Sequence, residues 1–450
     1  MHASPDRVHA LDSLRGFAMF LGVVLHAAIS FVSTAPPVFW PARDSDPHPL
    51  VDVFVFAVHD FRMQTFFVLA GFFGCLLYRR YGLFGMTWHR VKRVGIPFVL
   101  SLVFIIPPMM ALFLYLEIEN TRVQGVPPDA LEGRKFCAEL IAAAPDKSTG
   151  QLVIDQFTNG KASGALPLAH LWFLYYLLLF YIGVIVLAPL LSRLEGKQLL
   201  DRIDRVFRTL AGGPLAARAI VPALAIYPLL LAMDSRIVDT PGATRPSAAW
   251  MPPPHLLGYY AVFFAFGWML YRQRDLVEAF GRGWRTSLIV ANAVVLPLGL
   301  AAVFGGLEAQ KDRAGEAVLL AWRFGSFAAQ AVYTWLMIVG LWGAFLRWFG
   351  SGSAWARYIA DASYWCYLMS ILPIVALQFW VKDSPLPGLL KWAFVSVTSA
   401  GLLLLSYEWC VRYTFIGAVL NGRKTRTKRA VAVADALTED ATPTPEHAAR

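Results

Sequence analysis

An arginine and a histidine lie eleven residues apart in a single apolar segment near the start of the chain. Arg15 and His26 stand in the sequence LRGFAMFLGVVLHAAISF. Eleven residues of α-helix return to within about 20° of the starting direction and rise about 16 Å, so both side chains share one helix face. A charge inside a membrane helix is costly and usually functional, and imidazole is a general base near neutral pH. The structural alternative is that Arg15 extends its charge to the membrane surface and His26 only packs.

Four polar residues lie close together in a second apolar segment, AVHDFRMQTFFVLAGFF. His59 and Arg62 are spaced i,i+3, and Asp60 and Gln64 are spaced i,i+4, so each pair shares a helix face. An ion pair between Asp60 and an arginine is the structural alternative, because helical bundles bury such pairs to neutralise charge. Four polar groups within six residues exceed what one ion pair requires, and we interpret the segment as part of a polar site.

Further polar residues lie in or beside other apolar segments. His170 precedes an aromatic stretch that begins with Trp172, a pattern that is also typical of a membrane interface. Glu408 and Arg412 are spaced i,i+4 in the last apolar segment. Five positively charged residues lie within fifteen residues of sequence. They are either topology anchors or a phosphate-binding site, and their charge alone favours the anchors. They are Arg79, Arg80, Arg90, Lys92 and Arg93.

The composition predicts that lipid surrounds the helices that carry these residues. Hydrophobic residues make up 57% and charged residues 16% of the 450 residues, whereas soluble proteins carry about 25% charged residues. Ten apolar segments are long enough to span a membrane as helices. They lie near residues 11–33, 52–78, 94–116, 168–191, 216–233, 255–271, 286–306, 317–346, 358–381 and 389–412. The sequence therefore predicts an all-α, polytopic helical bundle with about ten transmembrane helices.

The distribution of lysine and arginine predicts the orientation of this bundle. If the N-terminus is inside, the inner connecting segments hold 24 Lys and Arg residues and the outer segments hold 11. Because these residues are retained on the cytoplasmic side, we expect both termini in the cytoplasm. The net charge of +10 reflects this asymmetry and is not interpreted as a nucleic-acid signal.

The two ends of the chain need separate interpretations. A cleaved signal peptide is the alternative for the first segment, but Pro36 follows the small residues Ser33, Thr34 and Ala35 and disfavours cleavage. We therefore expect a retained helix. Residues 421–450 begin with NGRKTRTKRA and are predicted to form a disordered, basic cytoplasmic tail, which leaves 1–420 as the transmembrane domain.

Several kinds of site lack their usual sequence signals. The four cysteines show no CxxC spacing, and the chain contains no HExxH, no P-loop and no GxGxxG motif after a strand. We therefore expect neither a metal nor a bound cofactor, and no nucleic-acid partner.

The polar residues together form two predicted clusters, a cationic one on the cytoplasmic side and a histidine-rich one in the outer half of the bundle. A phosphate-bearing donor held from the cytoplasm could extend an arm along the first helix, because the distance from Arg15 to His26 is comparable to an extended pantetheine. His26 would then act as a base on the hydroxyl of an acceptor.

Four motifs in combination resemble the membrane-bound acyltransferase 3 family, and most of all its glucan biosynthesis protein C branch. These motifs are LDSLRGFAMFLGVVLH, FRMQTFFVLAGFF, RVKRVGIP and HLWFLYYLLLFY, with ASYWCYLMSILP as a weaker match later in the chain. The resemblance implies an inner-membrane enzyme of about ten helices. It also implies that acyl-CoA is the donor substrate and that a carbohydrate hydroxyl on the far side is the acceptor, with succinyl and a periplasmic glucan in the glucan branch.

The resemblance also assigns roles by position. The catalytic arginine and histidine of the family fall on Arg15 and His26, its basic, acyl-CoA-binding motif falls on Arg90, Lys92 and Arg93, and the FRMQ stretch supplies Arg62 and Gln64. His59, Asp60, His170 and Glu408 are predicted to line the polar core or the acceptor side. One departure is Ser370, where relatives usually carry a histidine, which weakens any role for that position.

Two other classes of function are compatible with intramembrane charges. A transporter or flippase of a glycan or an anionic substrate also uses His, Arg and Asp inside its spans, although the two halves of the chain show no convincing repeat. A structural partner of a glycan synthase is disfavoured by the cost of the buried ions. The expected partners are acyl-CoA, a carbohydrate acceptor, the lipid bilayer and glycan synthesis proteins.

Overall fold

A computed structural model of the chain describes residues 9–33, 40–126, 132–159, 167–192, 198–233, 250–350 and 353–421. Regular structure in these ranges is helical throughout, with no strand, which confirms the predicted all-α class. The signal-peptide argument at Thr34, Ala35 and Pro36, and the predicted tail beyond Asn421, lie outside the described residues.

The described residues of the first half of the chain form nine α-helices. They are α1 His9–Ala28, α2 Pro49–Arg90, α3 Ile96–Phe104, α4 Ile106–Gln124, α5 Glu132–Ala143, α6 Thr149–Thr158, α7 Trp172–Ser192, α8 Gln198–Gly212 and α9 Leu215–Leu231. The second half of the described chain continues with α10 Pro254–Arg272, α11 Val277–Phe280, α12 Trp284–Val290, α13 Leu296–Lys311, α14 Glu316–Trp348, α15 Ala354–Met369, α16 Ile371–Val381, α17 Gly388–Ser406 and α18 Phe415–Asn421. Single turns of π-helix join α2 to α3 and α12 to α13 and extend α17.

Six helical segments in the described ranges are long and apolar enough to cross a membrane. They are His9–Phe31, Pro49–Gln124, Ala169–Pro189, Trp284–Lys311, Glu316–Trp348 and Gly388–Val411. The pair α15 and α16, bent by 66°, gives a seventh if it forms one span. The chain is therefore a multi-pass membrane protein by helix length and composition, but the predicted count of ten is not confirmed. The run Pro49–Gln124 contains two of the predicted segments, and the fifth forms only the short helix α9.

The predicted cytoplasmic loop at residues 79–93 is helical in the structure. The helix is broken at Gly82, where φ is 67° and ψ is −176°, and it then continues to Arg90. This left-handed conformation favours glycine, because a side chain there would be strained. The basic residues predict a loop by their charge, but arginine and lysine are good helix formers. Their charge therefore predicts a membrane boundary but does not end the helix.

Two glycines let α2 and α10 pack with their backbones in contact. A Cβ added at Gly71 would overlap the Phe264 carbonyl, and one added at Gly267 would overlap the Val68 carbonyl. Small residues at such a crossing let membrane helices approach closely, where packing rather than the hydrophobic effect drives association. This contact holds α2, which carries most of the predicted polar residues, at the centre of the bundle.

We expect Gly267→Leu to destabilise the bundle, because the added side chain would force α2 and α10 apart. The midpoint of thermal unfolding in detergent should fall by about 5 °C or more, with loss of the monodisperse peak in size-exclusion chromatography. The matched control is Gly183→Leu on α7, where an added Cβ meets no atom within 4 Å. Equal stability of the two variants would contradict the close α2–α10 contact.

Candidate active site

Helix α1 lies inside the bundle against α2, α14, α15 and α17. Arg15 pairs with Asp12 at 3.5 Å, and its Cζ lies 6.0 Å from the centre of the Phe73 ring on α2. Further along the same face, the guanidinium of Arg62 on α2 lies directly against Gly22. The face of α1 that carries Arg15 therefore packs against α2, and Arg62 of α2 contacts this face at Gly22, before His26.

The end of α1 is held by residues from two distant parts of the chain. The Gln378 amide on α16 donates hydrogen bonds to the carbonyls of His26 (2.9 Å) and Ala27 (3.0 Å). Trp40 Nε1 donates to Gln378 Oε1 (2.9 Å), and the Trp40 ring stacks on the His26 ring with centroids 6.3 Å apart. Because the last carbonyls of a helix lack partners within it, this contact fixes the backbone that carries His26.

Three basic side chains lie near His26. The imidazole lies within range of the charges of Arg62, His170 and His59. All three histidines are partly exposed although they belong to buried helices, whereas Arg62 is buried. The structure therefore brings together four of the predicted site residues, from α1, α2 and the short helical turn before α7.

His170 is held in a fixed orientation at the start of α7. Its Nε2 lies 3.0 Å from the Leu368 carbonyl, to which it donates a hydrogen bond. The Tyr367 hydroxyl in turn donates to the His170 carbonyl at 2.5 Å, and the two rings meet edge to face at 5.7 Å. The carboxyl end of α15 thus sets the position of His170 beside the cluster.

Asp60 and Gln64 point away from this cluster, toward α10 and α14. The Asp60 carboxylate accepts a hydrogen bond from Gln330 (3.0 Å), and the Thr334 hydroxyl donates to the Asp60 carbonyl (2.7 Å). Gln64 donates to the Tyr259 hydroxyl (3.1 Å). Among the described residues Asp60 pairs with no arginine, so the ion-pair alternative is wrong. The two pairs predicted on α2 lie on different faces because adjacent helix positions differ by about 100°.

Glu408 pairs with a neighbour on its own helix and forms no hydrogen bond with the cluster around His26, so its place in the polar core or on the acceptor side stays a prediction. Its carboxylate pairs with Arg412 at 2.7 Å, and Arg412 lies over the Tyr358 ring at 5.0 Å. Tyr358 precedes Tyr367 by nine residues on α15, which is about 13 Å along the helix. The ion pair with Arg412, four residues later in the chain, thus neutralises the charge of Glu408.

Ser370 lies at the bend between α15 and α16. Its side chain is buried, and its hydroxyl donates to the Tyr367 carbonyl at 3.3 Å. A hydroxyl bonded back to its own helix is typical of Ser near a helix end. The position at which the resemblance implies a histidine therefore lies at the 66° bend between α15 and α16.

The predicted basic motif lies against aromatic rings. Arg90 Cζ lies 4.7 Å from the centre of the Tyr181 ring, and Lys92 Nζ lies 4.6 Å from that of Trp88. The backbone carbonyl of Arg93 accepts a hydrogen bond from Tyr364 (3.0 Å). Aromatic rings hold these cations in place by cation–π contact while leaving their hydrogen-bond donors available to a ligand.

A second group of cations lines a cavity of about 290 Å³ between α2 and the end of α10. The cavity is lined by Leu76, Arg79, Arg80, Tyr271 and Arg274. No sequence pattern connects Arg274 with the two arginines on α2, because nearly two hundred residues separate them. In the described ranges, no three His, Cys, Asp or Glu side chains lie together as a metal site would need, and the absence of a metal stays a prediction.

The apolar helices and the basic cluster around His26 define a membrane protein with a polar site between its helices. The family follows from comparison with known proteins. An acyltransferase domain model matches residues 8–408, and the chain therefore belongs to the membrane-bound acyltransferase 3 family. This membership makes the protein an acyltransferase.

Curated relatives point to one branch of this family. The chain is 33% identical over 112 residues to the glucans biosynthesis protein C of Escherichia coli (strain SMS-3-5 / SECEC). It is 32% identical over 112 residues to the protein of the same name from Escherichia coli O1:K1 / APEC. Each alignment covers 25% of this chain and 28% of the relative, so the chain spans little more than a quarter of the length of these proteins. No solved structure matches.

Proposed function

We propose that this acyltransferase takes an acyl group from acyl-CoA at the cytoplasmic face of the bacterial inner membrane and transfers it to a carbohydrate hydroxyl on the outer side. The observation that carries the proposal is the position of His26. It lies among Arg62, His59 and His170, on the same helix as Arg15 and about 16 Å further along it.

The donor end of the proposed path is cationic. Arg15, Arg90, Lys92 and Arg93 would bind the phosphates of CoA, because guanidinium and ammonium groups form charge-assisted hydrogen bonds with phosphate oxygens. The pantetheine arm would then run along α1 and bring the thioester to His26. We propose no bound cofactor and no metal, since a thioester is already activated and proximity with one base supplies much of the rate.

The proposed reaction is a direct transfer. The acceptor oxygen attacks the thioester carbonyl carbon while His26 takes its proton. The carbon–sulfur bond then breaks, and the sulfur leaves with the proton from His26, which gives an ester and free CoA thiol. Trp40 and Gln378 position His26 through the ring stack and the amide hydrogen bonds at the end of α1. An acyl-histidine intermediate would use the same residues.

The acceptor proposed is a periplasmic, osmoregulated glucan, and the acyl group proposed is succinyl. Support comes from the name of the relatives, glucans biosynthesis protein C, and from the outer position predicted for the histidine cluster. Glycan synthesis proteins are the proposed protein partners, because they supply the acceptor on the same membrane.

Mass spectrometry of periplasmic and surface glycans tests the substrate assignment. Deleting the gene should remove a mass increment of one acyl group from a glucan, and the increment should return with the wild-type gene. The size of the increment identifies the acyl group, and the glycan that carries it identifies the acceptor. A glycan profile that does not change on deletion would contradict the glucan assignment.

A further inference from the structure

Arg62 is a buried arginine that donates no hydrogen bond to the described residues. Its side chain is 8% exposed, and its Nε is buried without a partner. No acidic residue in the described ranges pairs with it. Removing an unpaired charge from water costs several kcal/mol, so a resting structure gains nothing from this guanidinium. The Arg62 guanidinium would be stabilised by an anionic oxygen that arrives with a substrate.

A second buried arginine in the same chain shows how a structural guanidinium is satisfied. Arg218 is 4% exposed, and its Nη1 donates to the carbonyls of Ala279 (3.1 Å), Phe280 (2.6 Å) and Arg282 (2.8 Å). These carbonyls lie at or just after the end of α11. The Nε of Arg218 has no partner, like that of Arg62, so the two residues differ in the hydrogen bonds of Nη1. Arg218 therefore stabilises a helix end, whereas Arg62 has no comparable acceptor.

The position of Arg62 is set by the glycine one turn before His26. A Cβ added at Gly22 would overlap Arg62 Nη1, so the guanidinium reaches the backbone of α1 with this nitrogen. It also lies near the side chains of Tyr260 and Tyr367. The positive charge is thereby held beside the imidazole that would take the acceptor proton.

We propose that the Arg62 guanidinium binds the carbonyl oxygen of the acyl group during transfer. This assignment rests on the proposed function of His26. When the acceptor oxygen forms its bond to the carbonyl carbon, the π electron pair moves to the carbonyl oxygen, which becomes an oxyanion. Arg62 donates hydrogen bonds to that oxyanion until the pair returns and the carbon–sulfur bond breaks. Fixed donors aimed at a developing charge make one of the greatest contributions to catalysis.

The test compares Arg62→Gln with wild-type full-length protein in detergent. The donors are acetyl-CoA and succinyl-CoA, the acceptor is a soluble glucan oligosaccharide or water alone, and the readout is released CoA thiol. Loss of one oxyanion donor should lower kcat by about 10²–10³-fold, with both donors and with hydrolysis alike, and the donor KM should change by less than about threefold. Arg62→Lys keeps the charge and should recover part of the lost kcat.

Two matched variants separate this role from a structural one. Arg218→Gln removes a buried arginine with three carbonyl partners, and it should lower the thermal unfolding midpoint while folded protein keeps its kcat. Arg62→Gln should leave the unfolding midpoint unchanged or raise it, because it removes an unpaired buried charge. Gly22→Ala should displace Arg62 and lower kcat, whereas Gly183→Ala on α7, where the space is open, should not.

Each remaining result contradicts a different statement. If wild type consumes neither donor, the proposed function fails, and the assignment of Arg62 fails with it. If wild type is active and Arg62→Gln keeps its kcat, only the assignment of Arg62 fails. If Arg62→Gln raises the KM for succinyl-CoA alone and leaves acetyl-CoA unaffected, Arg62 binds a carboxylate of the acyl chain and not the reacting carbonyl.

Discussion

Replacing His26 with alanine is expected to abolish acyl transfer while the protein still inserts and folds. A positioned general base contributes about 10²–10⁴-fold to such a reaction, and no other imidazole lies on the same helix face as Arg15 in α1. The loss should appear in kcat, with little change in the KM of acyl-CoA, because the proposed phosphate contacts lie at the other end of the helix. Released CoA thiol in detergent measures both constants.

The matched control for this variant is His9→Ala. His9 is the first residue of α1, about 25 Å from His26 along the helix, and it takes no part in the cluster around His26. This control should keep wild-type kcat and wild-type yield. Robust transfer by folded His26→Ala protein would remove the proposed base.

Replacing Arg90 and Arg93 together with glutamine should raise the KM of the donor by about 10–100-fold. Each charge-assisted hydrogen bond contributes about 1.5–3 kcal/mol, and about 1.4 kcal/mol corresponds to a factor of ten. The kcat at saturating acyl-CoA should stay within about threefold of wild type, because the thioester would still reach His26. Initial rates against acyl-CoA concentration give the two constants separately.

The alternative for these arginines is a topology anchor, which is what charge alone favours. Arg285→Gln with Arg347→Gln is the matched control, because it removes two arginines from other segments predicted to face the cytoplasm. If the Arg90 and Arg93 variant lowers only the amount of membrane-inserted protein and leaves the donor KM unchanged, these residues are anchors and do not bind the donor.

Short-range periodicity is sufficient to predict several contacts of the site. The i,i+3 spacing of Asp12 and Arg15 predicts their ion pair, and the spacing on α2 separates the face of His59 and Arg62 from that of Asp60 and Gln64. These relations depend on the 3.6-residue repeat of a single helix. They need no knowledge of how the helices pack.

Contacts between distant segments cannot be predicted in this way. Gln378 bonds the carbonyl of His26 across 352 residues of sequence, and only the packing of α16 against the end of α1 makes that contact. The overlap between Gly22 and Arg62 is equally invisible in the sequence, where Gly22 is one small residue in an apolar helix. The sequence does contain one signal for the first of these contacts, because Gln378 is a glutamine within an apolar segment.

The number of membrane spans is the least predictable part of the fold. Apolar length alone does not separate a span from a short or broken helix, as α9 and the bent pair of α15 and α16 illustrate. The positively charged residues between 79 and 93 predict a loop, but this segment is helical because arginine and lysine favour the helical conformation.

Sided transfer in proteoliposomes tests the central claim most directly. Acyl-CoA would be supplied on the side of Arg90 and Arg93, with a glucan oligosaccharide confined to the opposite side. We predict acylated glucan on the far side and free CoA on the near side with wild type, and neither with His26→Ala. Transfer that requires donor and acceptor in the same compartment would contradict a path along α1 from Arg15 to His26.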